Sequence, residues 1–462
     1  MNSKTRRECL VVVGGCAAGM SAASKAKRMN KNLQVIALEK TPHVSYSACG
    51  IPYFVADLVR EARDLIAVTP EEFREQRGIE VLTRHEVVDV QPVKKTVTAI
   101  DLDAGKEAVF DYDKLVIAVG GVPKKPNLPG LDAKNVFTLQ TLQDGIYIRK
   151  YIDEKRPKRV AIIGGGYIAM EMTEAFRQRS LEVTVIQKRD QVLWDFEPDI
   201  AGKVAAELTN NEVRILTAIE ATALEVSDGG VAINVVLANG QTKLPADLVL
   251  VSTGLASNTK LAEIAGIRLG NTGAIAVDWK MQTNLPNIYA AGDCVEVKHL
   301  VSGKPDYIPL GPTANKQGRV AGENIGGGTA TFKGVVGTTV FKTFNLEVAQ
   351  TGLNLRQAKR SGFEPDSTTI TENSKAGYYP GVKPITVTVI WDKRSRRLLG
   401  AQMVGEEGVS KRIDVFAAAL TNKMTLDEMA YLDMSYAPPF APVWDPVLVA
   451  VNVARGEAVK WV

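Results

Sequence analysis

The sequence predicts an α/β chain made of two Rossmann-like dinucleotide-binding domains and a C-terminal α+β domain. Three observations carry that expectation. An apolar strand, a glycine turn and a helix follow one another from Cys9, and the same run returns with Gly164 in the place of Gly14. From residue 331 onward, alternating strands with helical stretches after them replace that pattern.

The first element, CLVVVGGCAAGMSAASKAKR, reads as a buried strand, a turn and a helix, and VIALEK at 35–40 reads as the next strand, giving a βαβ unit. Gly14-x-Cys16-x-x-Gly19 keeps the first and last glycines of the dinucleotide fingerprint. The middle glycine, which lets backbone approach a pyrophosphate, is replaced by Cys16, read as a steric substitute and not a redox partner. Glu39 ends the second strand, where an acid can accept hydrogen bonds from both hydroxyls of a ribose.

The repeat is RVAIIGGGYIAMEMTEAF, with Gly164-x-Gly166-x-x-Ala169, followed by VTVIQKR. Here the strand ends in Gln187-Lys188-Arg189 with no acid, which permits a 2′-phosphate and offers it cations. Two such units have a physical purpose, to hold two dinucleotides so that electrons pass between them. The stretch YDKLVIAVGG at 112–121 is a strand leading out of the first domain, and PADLVLVSTG at 245–254 plays that part for the second. NIYAAGDCVE at 287–296 ends a strand on Gly292-Asp293, which suits a carboxylate bonded to a ribitol hydroxyl. The second domain is thereby inserted into the first. The expected divisions are 1–113 with 279–330, then 114–278 including the connecting strands, then 331–462, the last marked by strands such as ITVTVIWD at 385–392.

Composition narrows the function. A chain of 462 residues, 45% hydrophobic, can bury cores for about three domains at roughly 150 residues each. A net charge of +4 suits an anionic small molecule but lacks the Lys/Arg stripe of a nucleic-acid binder. Four cysteines without CxxC point to a reducing compartment, and the cytoplasm is expected. His43, His85 and His299 have no metal-ligand spacing, so no metal is expected. Arg6-Arg7 before the first apolar run resembles a twin-arginine leader, but the glycines assign that run to a nucleotide turn. No run approaches the about 18 apolar residues of a membrane span. Gly19-Met20-Ser21-Ala22-Ala23 lacks the last glycine of a hydrolase elbow.

The double fingerprint, AAGD and TANKQGRVAGENI at 313–325 together resemble the flavin-dependent pyridine nucleotide-disulfide oxidoreductases over essentially the whole chain. Ser45-x-x-x-Cys49 within HVSYSACGIPY is similar to their single-cysteine branch of coenzyme A-disulfide reductases, NADH oxidases, NADH peroxidases and persulfide reductases. Val44 and Phe54 leave no second thiol near Cys49. The resemblance implies FAD in the first domain, at Gly14, Gly15, Ala17, Ala18, Gly19, Glu39, Lys40, Ser45, Gly120, Gly292, Asp293, Thr313 and Ala314. It implies NADPH or NADH in the second, at Gly164, Gly166, Tyr167, Ile168, Glu171, Gln187, Lys188, Arg189 and Gly254. Coenzyme A, as substrate or mixed disulfide, is implied beside Ser45, Arg28 and Arg77, although exposed arginines are often merely solvated. The third domain is implied to form a homodimer, in which Tyr436 of YAPPFAPVWDPV reaches the partner's cysteine with Tyr379 of GYYPG behind it. Each tyrosine has an alternative as an interface aromatic.

A lone thiolate can take electrons from a reduced flavin only if its partner sulfur or oxygen comes from outside, as a mixed disulfide, a persulfide or a sulfenic acid. Pro52 is expected to open a helix whose positive end lowers the pKa of Cys49. Ala17 stands where peroxidases of the branch carry a histidine, which favours disulfide or persulfide chemistry over peroxide cleavage. Ala48 replaces the asparagine frequent in coenzyme A-disulfide reductases, and no appended rhodanese domain is expected before the chain ends at Val462. Cys9 reads as a core residue and Cys294 as packing near the flavin. The expected activity is NAD(P)H-driven reduction of a small disulfide, coenzyme A disulfide first. The alternatives are persulfide or polysulfide reduction, water-forming NADH oxidation, and a redox-sensing flavoprotein of low turnover.

Overall fold

A computed structural model describes residues 7–238 and 240–456, so Arg6 and the chain end at Val462 lie outside the described residues. The first sheet has five parallel strands in the order Ile288–Ala290, Lys114–Ile117, Cys9–Val13, Gln34–Glu39 and Glu80–Thr83. Its central strand, CLVVV, is buried along its whole length because helices cover the sheet, so it reads as an unbroken apolar run. Helix Ala17–Met29 follows the glycine turn and packs on helix Gly311–Ile325. Their contact is backbone-close, since a Cβ on Gly318 or Gly322 would strike the carbonyl oxygens of Ala18 and Ala22. The glycines of TANKQGRVAGENI therefore answer a packing requirement.

The second sheet repeats the design with five parallel strands, Arg214–Leu216, Glu182–Ile186, Arg159–Ile163, Leu248–Val251 and Val136–Phe137. The repeat holds at the level of single bonds. Gly14 N donates to Leu38 O and Gly164 N to Ile186 O, both at 2.9 Å. The two glycines have φ of 109° and 112°, and a side chain on either would strike a carbonyl of the neighbouring strand, Ala118 or Ser252.

The chain crosses between the two sheets as the antiparallel pair Gly121–Pro123 and Leu255–Ser257. Strand Lys114–Ile117 is bonded into the first sheet, and Leu261, Ala262, Ile267 and Ile275 pack in the first core. Residues 114–117 and 258–278 thus sit with the first sheet, although the expected divisions place them with the second. The one short helix of 258–278, Lys260–Ile264, buries Leu261 and Ala262, but its local pattern does not say which core they join.

The third domain is an antiparallel sheet ordered Thr339–Thr343, Leu346–Gly352, Leu398–Gly405, Pro384–Asp392 and Pro365–Asn373. The alternation in ITVTVIWD does not mark a solvent face, because Thr386 and Thr388 are buried. Their hydroxyls pair with those of Thr371 and Thr369, each at 2.9 Å, which satisfies them inside the domain. Helices Val409–Thr421 and Pro446–Ala454 cover the sheet. Among the described residues no helix is long and apolar enough to cross a membrane.

Candidate active site

Helix Ala17–Met29 begins at Cys16 with no side-chain cap and no acid in its first turn, and helix Tyr167–Gln178 begins at Gly166 in the same way. Their first N–H groups are left for a ligand, and an anion suits them. The second turn leaves room for a pyrophosphate, since a Cβ on Gly166 would meet nothing within 4 Å, and the backbone is equally open at Gly120 and Gly254. Glu39 is held at its strand end by Gly15 N and Thr41 N, each at 2.7 Å. Lys40 forms an ion pair with Glu86 at 3.1 Å. Gly19 is pressed on the carbonyl of Gly14, and Ala18, Ala291 and Ala314 form a wall of small side chains with Ala17 packed against it. Thr313 is buried beside Ala314 at the start of its helix.

Gly292 N is held by Gln317 Oε1 at 2.8 Å, which sets Asp293 at the mouth of the first domain. Burial pushes the Asp293 carboxyl up to about 6. Nothing in the sequence singles out Tyr307, whose buried hydroxyl has no partner and lies against Gly121 and near Asp293. These glycine cradles, uncapped helix starts and the orphaned hydroxyl are what a dinucleotide with a fused ring would need.

Three of the four thiols are out of reach. Cys9 and Cys294 are buried, and burial raises Cys294 to about 12. Cys16 points to Tyr46 O at 3.7 Å, and burial raises it to about 11, so it stays protonated at neutral pH. Cys49 is exposed. It lies in a single 3₁₀ turn, Ala48–Gly50, followed by helix Ile51–Val55 with Pro52 in its first turn. Ser45, at φ 48°, ties this segment to the first glycine turn through Ser45 N to Gly15 O at 2.8 Å.

The expected lowering of the Cys49 pKa is corrected by the structure: partial burial, then the carboxyls of Glu171 and Asp293, hold it above the ordinary value. The helix that Pro52 opens is only five residues long, so few peptide dipoles add up at its end. Both carboxyls arrive from distant parts of the chain.

Helix Ile51–Val55 packs on Tyr167–Gln178, which brings the thiol to the second glycine helix. Tyr167 is raised to about 12 by burial and by Asp293, Glu171 and Cys49, so it borders both domains and the thiol. Ile168 is half-buried beside it. Burial, then Glu174, pushes Glu171 up to about 7. Glu174 itself is held by Lys342 Nζ at 2.7 Å and Phe344 N at 2.8 Å.

At the end of strand Glu182–Ile186, Gln187 is buried against Gly165. Lys188 and Arg189 are exposed and edge an open pocket shared with Ala218, Ile219, Glu220 and Ala238. The guanidinium of Arg189 lies 4.9 Å from the centre of the Trp194 ring, which fixes its direction.

Arg77 donates to Ser24 Oγ at 3.1 Å, one helical turn before Arg28, so the structure brings these two exposed arginines to one helix. Tyr436 is exposed, and the hydroxyl beside it is that of Tyr378. Tyr379 faces the Lys375 ammonium, 5.9 Å from its ring centre, because neighbouring side chains in the GYYPG turn diverge. No interaction within the chain joins Tyr436 to Cys49 among the described residues.

Residues 9–318 match the family model described as pyridine nucleotide-disulphide oxidoreductase, and residues 338–446 match that family's dimerisation domain. The chain belongs to the pyridine nucleotide-disulphide oxidoreductases; it is an NAD(P)H-dependent flavoprotein oxidoreductase carrying the family's dimerisation domain. It is 39% identical over 447 residues to the NAD(P)H sulfur oxidoreductase (CoA-dependent) of Pyrococcus furiosus, covering 96% of this chain and 99% of that one. It is 30% identical to the coenzyme A disulfide reductase of Staphylococcus haemolyticus, with the same coverages. The structure of an NAD-dependent persulfide reductase from A. fulgidus superposes with a TM-score of 0.93 at 39% identity, over 97% of this chain and 83% of that one.

Proposed function

We propose that this chain is a homodimeric, cytoplasmic reductase of small-molecule disulfides, coenzyme A disulfide first, that takes electrons from NAD(P)H and delivers them to sulfur at Cys49. The observation that carries the reading is the position of the one exposed thiol beside Tyr167, Glu171 and Asp293, where the two dinucleotide domains meet. The relatives named for coenzyme A-dependent sulfur chemistry and coenzyme A disulfide reduction support it. Four cysteines with no CxxC support a reducing compartment.

In this reading the first glycine turn, Glu39 and Asp293 hold FAD, and the second glycine turn with Gln187, Lys188 and Arg189 holds NAD(P)H. Bound FAD supplies the two-electron chemistry between nicotinamide and sulfur. Cys49, as a thiolate, attacks one sulfur of the disulfide; one half leaves as a thiolate and the other stays on Cys49 as a mixed disulfide. Two electrons then cleave that bond, which frees the second half and restores Cys49. One NAD(P)H, one proton and one disulfide give two thiols. Tyr167 covers the space between the domains, Arg28 and Arg77 offer charge to the substrate's phosphates, and Tyr436 of the partner subunit donates its hydroxyl to the departing thiolate.

A second reading uses the same thiol on a persulfide or polysulfide, and the 39% identity to enzymes named for sulfur and persulfide favours it. NAD(P)H consumption with coenzyme A disulfide, coenzyme A persulfide, polysulfide and oxygen tests both. Fastest turnover with the disulfide is the expected result. A preference for persulfide of tenfold or more selects the second reading, and consumption by oxygen alone overturns both.

A further inference from the structure

We propose that the buried Arg412–Asp445 ion pair is a positioning device for the two loops that bear Tyr378 and Tyr436, and through Tyr436 for the thiol site. The inference rests on the reading that Tyr436 serves the cysteine of the partner subunit. Arg412 and Asp445 are 7% and 5% exposed, inside a domain whose core is mostly aliphatic. One guanidinium makes four hydrogen bonds: Nε to Asp445 Oδ2 at 2.8 Å, Nη2 to Ser374 O at 2.9 Å and Phe440 O at 3.2 Å, and Nη1 to Gly408 O at 3.1 Å.

Two of those acceptors belong to the two segments that carry the tyrosines. Ser374 closes the base of the loop bearing Tyr378, through Ser374 N to Lys383 O at 2.7 Å and Lys383 N to Ser374 Oγ at 3.0 Å. Phe440 lies in the segment that begins at Tyr436, and Ala376 N reaches across to Pro438 O at 3.2 Å. Asp445 ends the same segment, and its other oxygen accepts from Val447 N at 2.9 Å, capping the last helix. The fork of Arg412 therefore sets the distance between two otherwise exposed loops. A buried ion pair is a weak source of stability, but four of the five guanidinium donors of Arg412 are used, which gives it a definite geometry. Lysine, with its donors on one atom, cannot reach acceptors spread across both segments.

The test is a double-variant cycle on the FAD-loaded dimer. Arg412→Lys is expected to keep its FAD, its dimer and its rate of flavin reduction by NADPH in rapid mixing, while turnover with coenzyme A disulfide falls roughly 10-fold or more through misplaced hydroxyls. Arg412→Lys with Tyr436→Phe is expected to be no slower than Tyr436→Phe alone, because the first residue acts through the second. Unchanged turnover in Arg412→Lys, or losses that multiply in the double variant, overturns the inference. If Arg412→Lys does not fold, Glu407→Gln replaces it, since that surface carboxylate holds Ser374 Oγ at 2.5 Å and Lys375 Nζ at 3.0 Å. A slower disulfide reaction that disappears in the Tyr436→Phe background supports the proposal, and an unchanged one overturns it. If Tyr436→Phe leaves turnover intact, the underlying reading falls as well; if only the Arg412 and Glu407 variants leave it intact, that reading stands without the positioning role.

Discussion

At Cys49 exposure and charge act in opposite directions, because the thiol is accessible while Glu171 and Asp293 resist its ionisation. Removing one carboxyl should ease it. In Glu171→Gln the pH midpoint for alkylation of Cys49 by iodoacetamide is expected to move to lower pH, and an unmoved midpoint would discard the interaction. The same carboxyl makes a stability prediction. Glu171 rises from 4.5 to about 7, so its contribution to folding is present below pH 4.5 and is lost as pH passes 7. Glu171→Gln should melt like the parent near pH 4 and be more stable at pH 8, by about 1–2 kcal/mol once partial exposure is allowed for. Cys49→Ser should retain FAD and lose disulfide turnover, since no other thiol is both exposed and near Tyr167. The raised thiol was illegible in the sequence because its two carboxyls stand at positions 171 and 293. The glycine turns were legible because their backbone angles and close approaches admit no other residue at Gly14 or Gly164.

Among the elements, the strand end at Gln187-Lys188-Arg189 decides the nucleotide. With Lys188 and Arg189 in place of an acid at the strand end, and Arg189 braced by Trp194, NADPH should be used at least as well as NADH. Arg189→Ala is expected to raise KM for NADPH by roughly 10-fold with little change for NADH, the loss of one charge-assisted bond. A tenfold or larger preference of the parent for NADH in kcat/KM would sink this assignment. Here the sequence carried the residues but not Glu220, which edges the same pocket from a separate strand connection. The third domain was legible as alternating strands, yet its buried Thr pairs depend on cross-strand contacts that local pattern does not encode.

For the whole molecule, the two dinucleotide domains bring the thiol to one end of the electron path, and the dimerisation domain exposes Tyr378 and Tyr436 away from it. If the partner completes the site, specific activity should fall when the enzyme is diluted below its dimer dissociation constant. Tyr436→Phe should slow disulfide reduction by about 10²-fold, the usual size of a lost proton donor, while flavin reduction stays near normal. That Cys49 alone carries the substrate sulfur is tested by the mass of the FAD-loaded enzyme, its Cys49 freed with dithiothreitol and its flavin left oxidised after desalting, once it is mixed with one equivalent of coenzyme A disulfide in the absence of NADPH. One coenzyme A per chain is expected, mapped to Cys49 and released when NADPH is added; turnover with Cys49 unmodified throughout would overturn this role for the thiol.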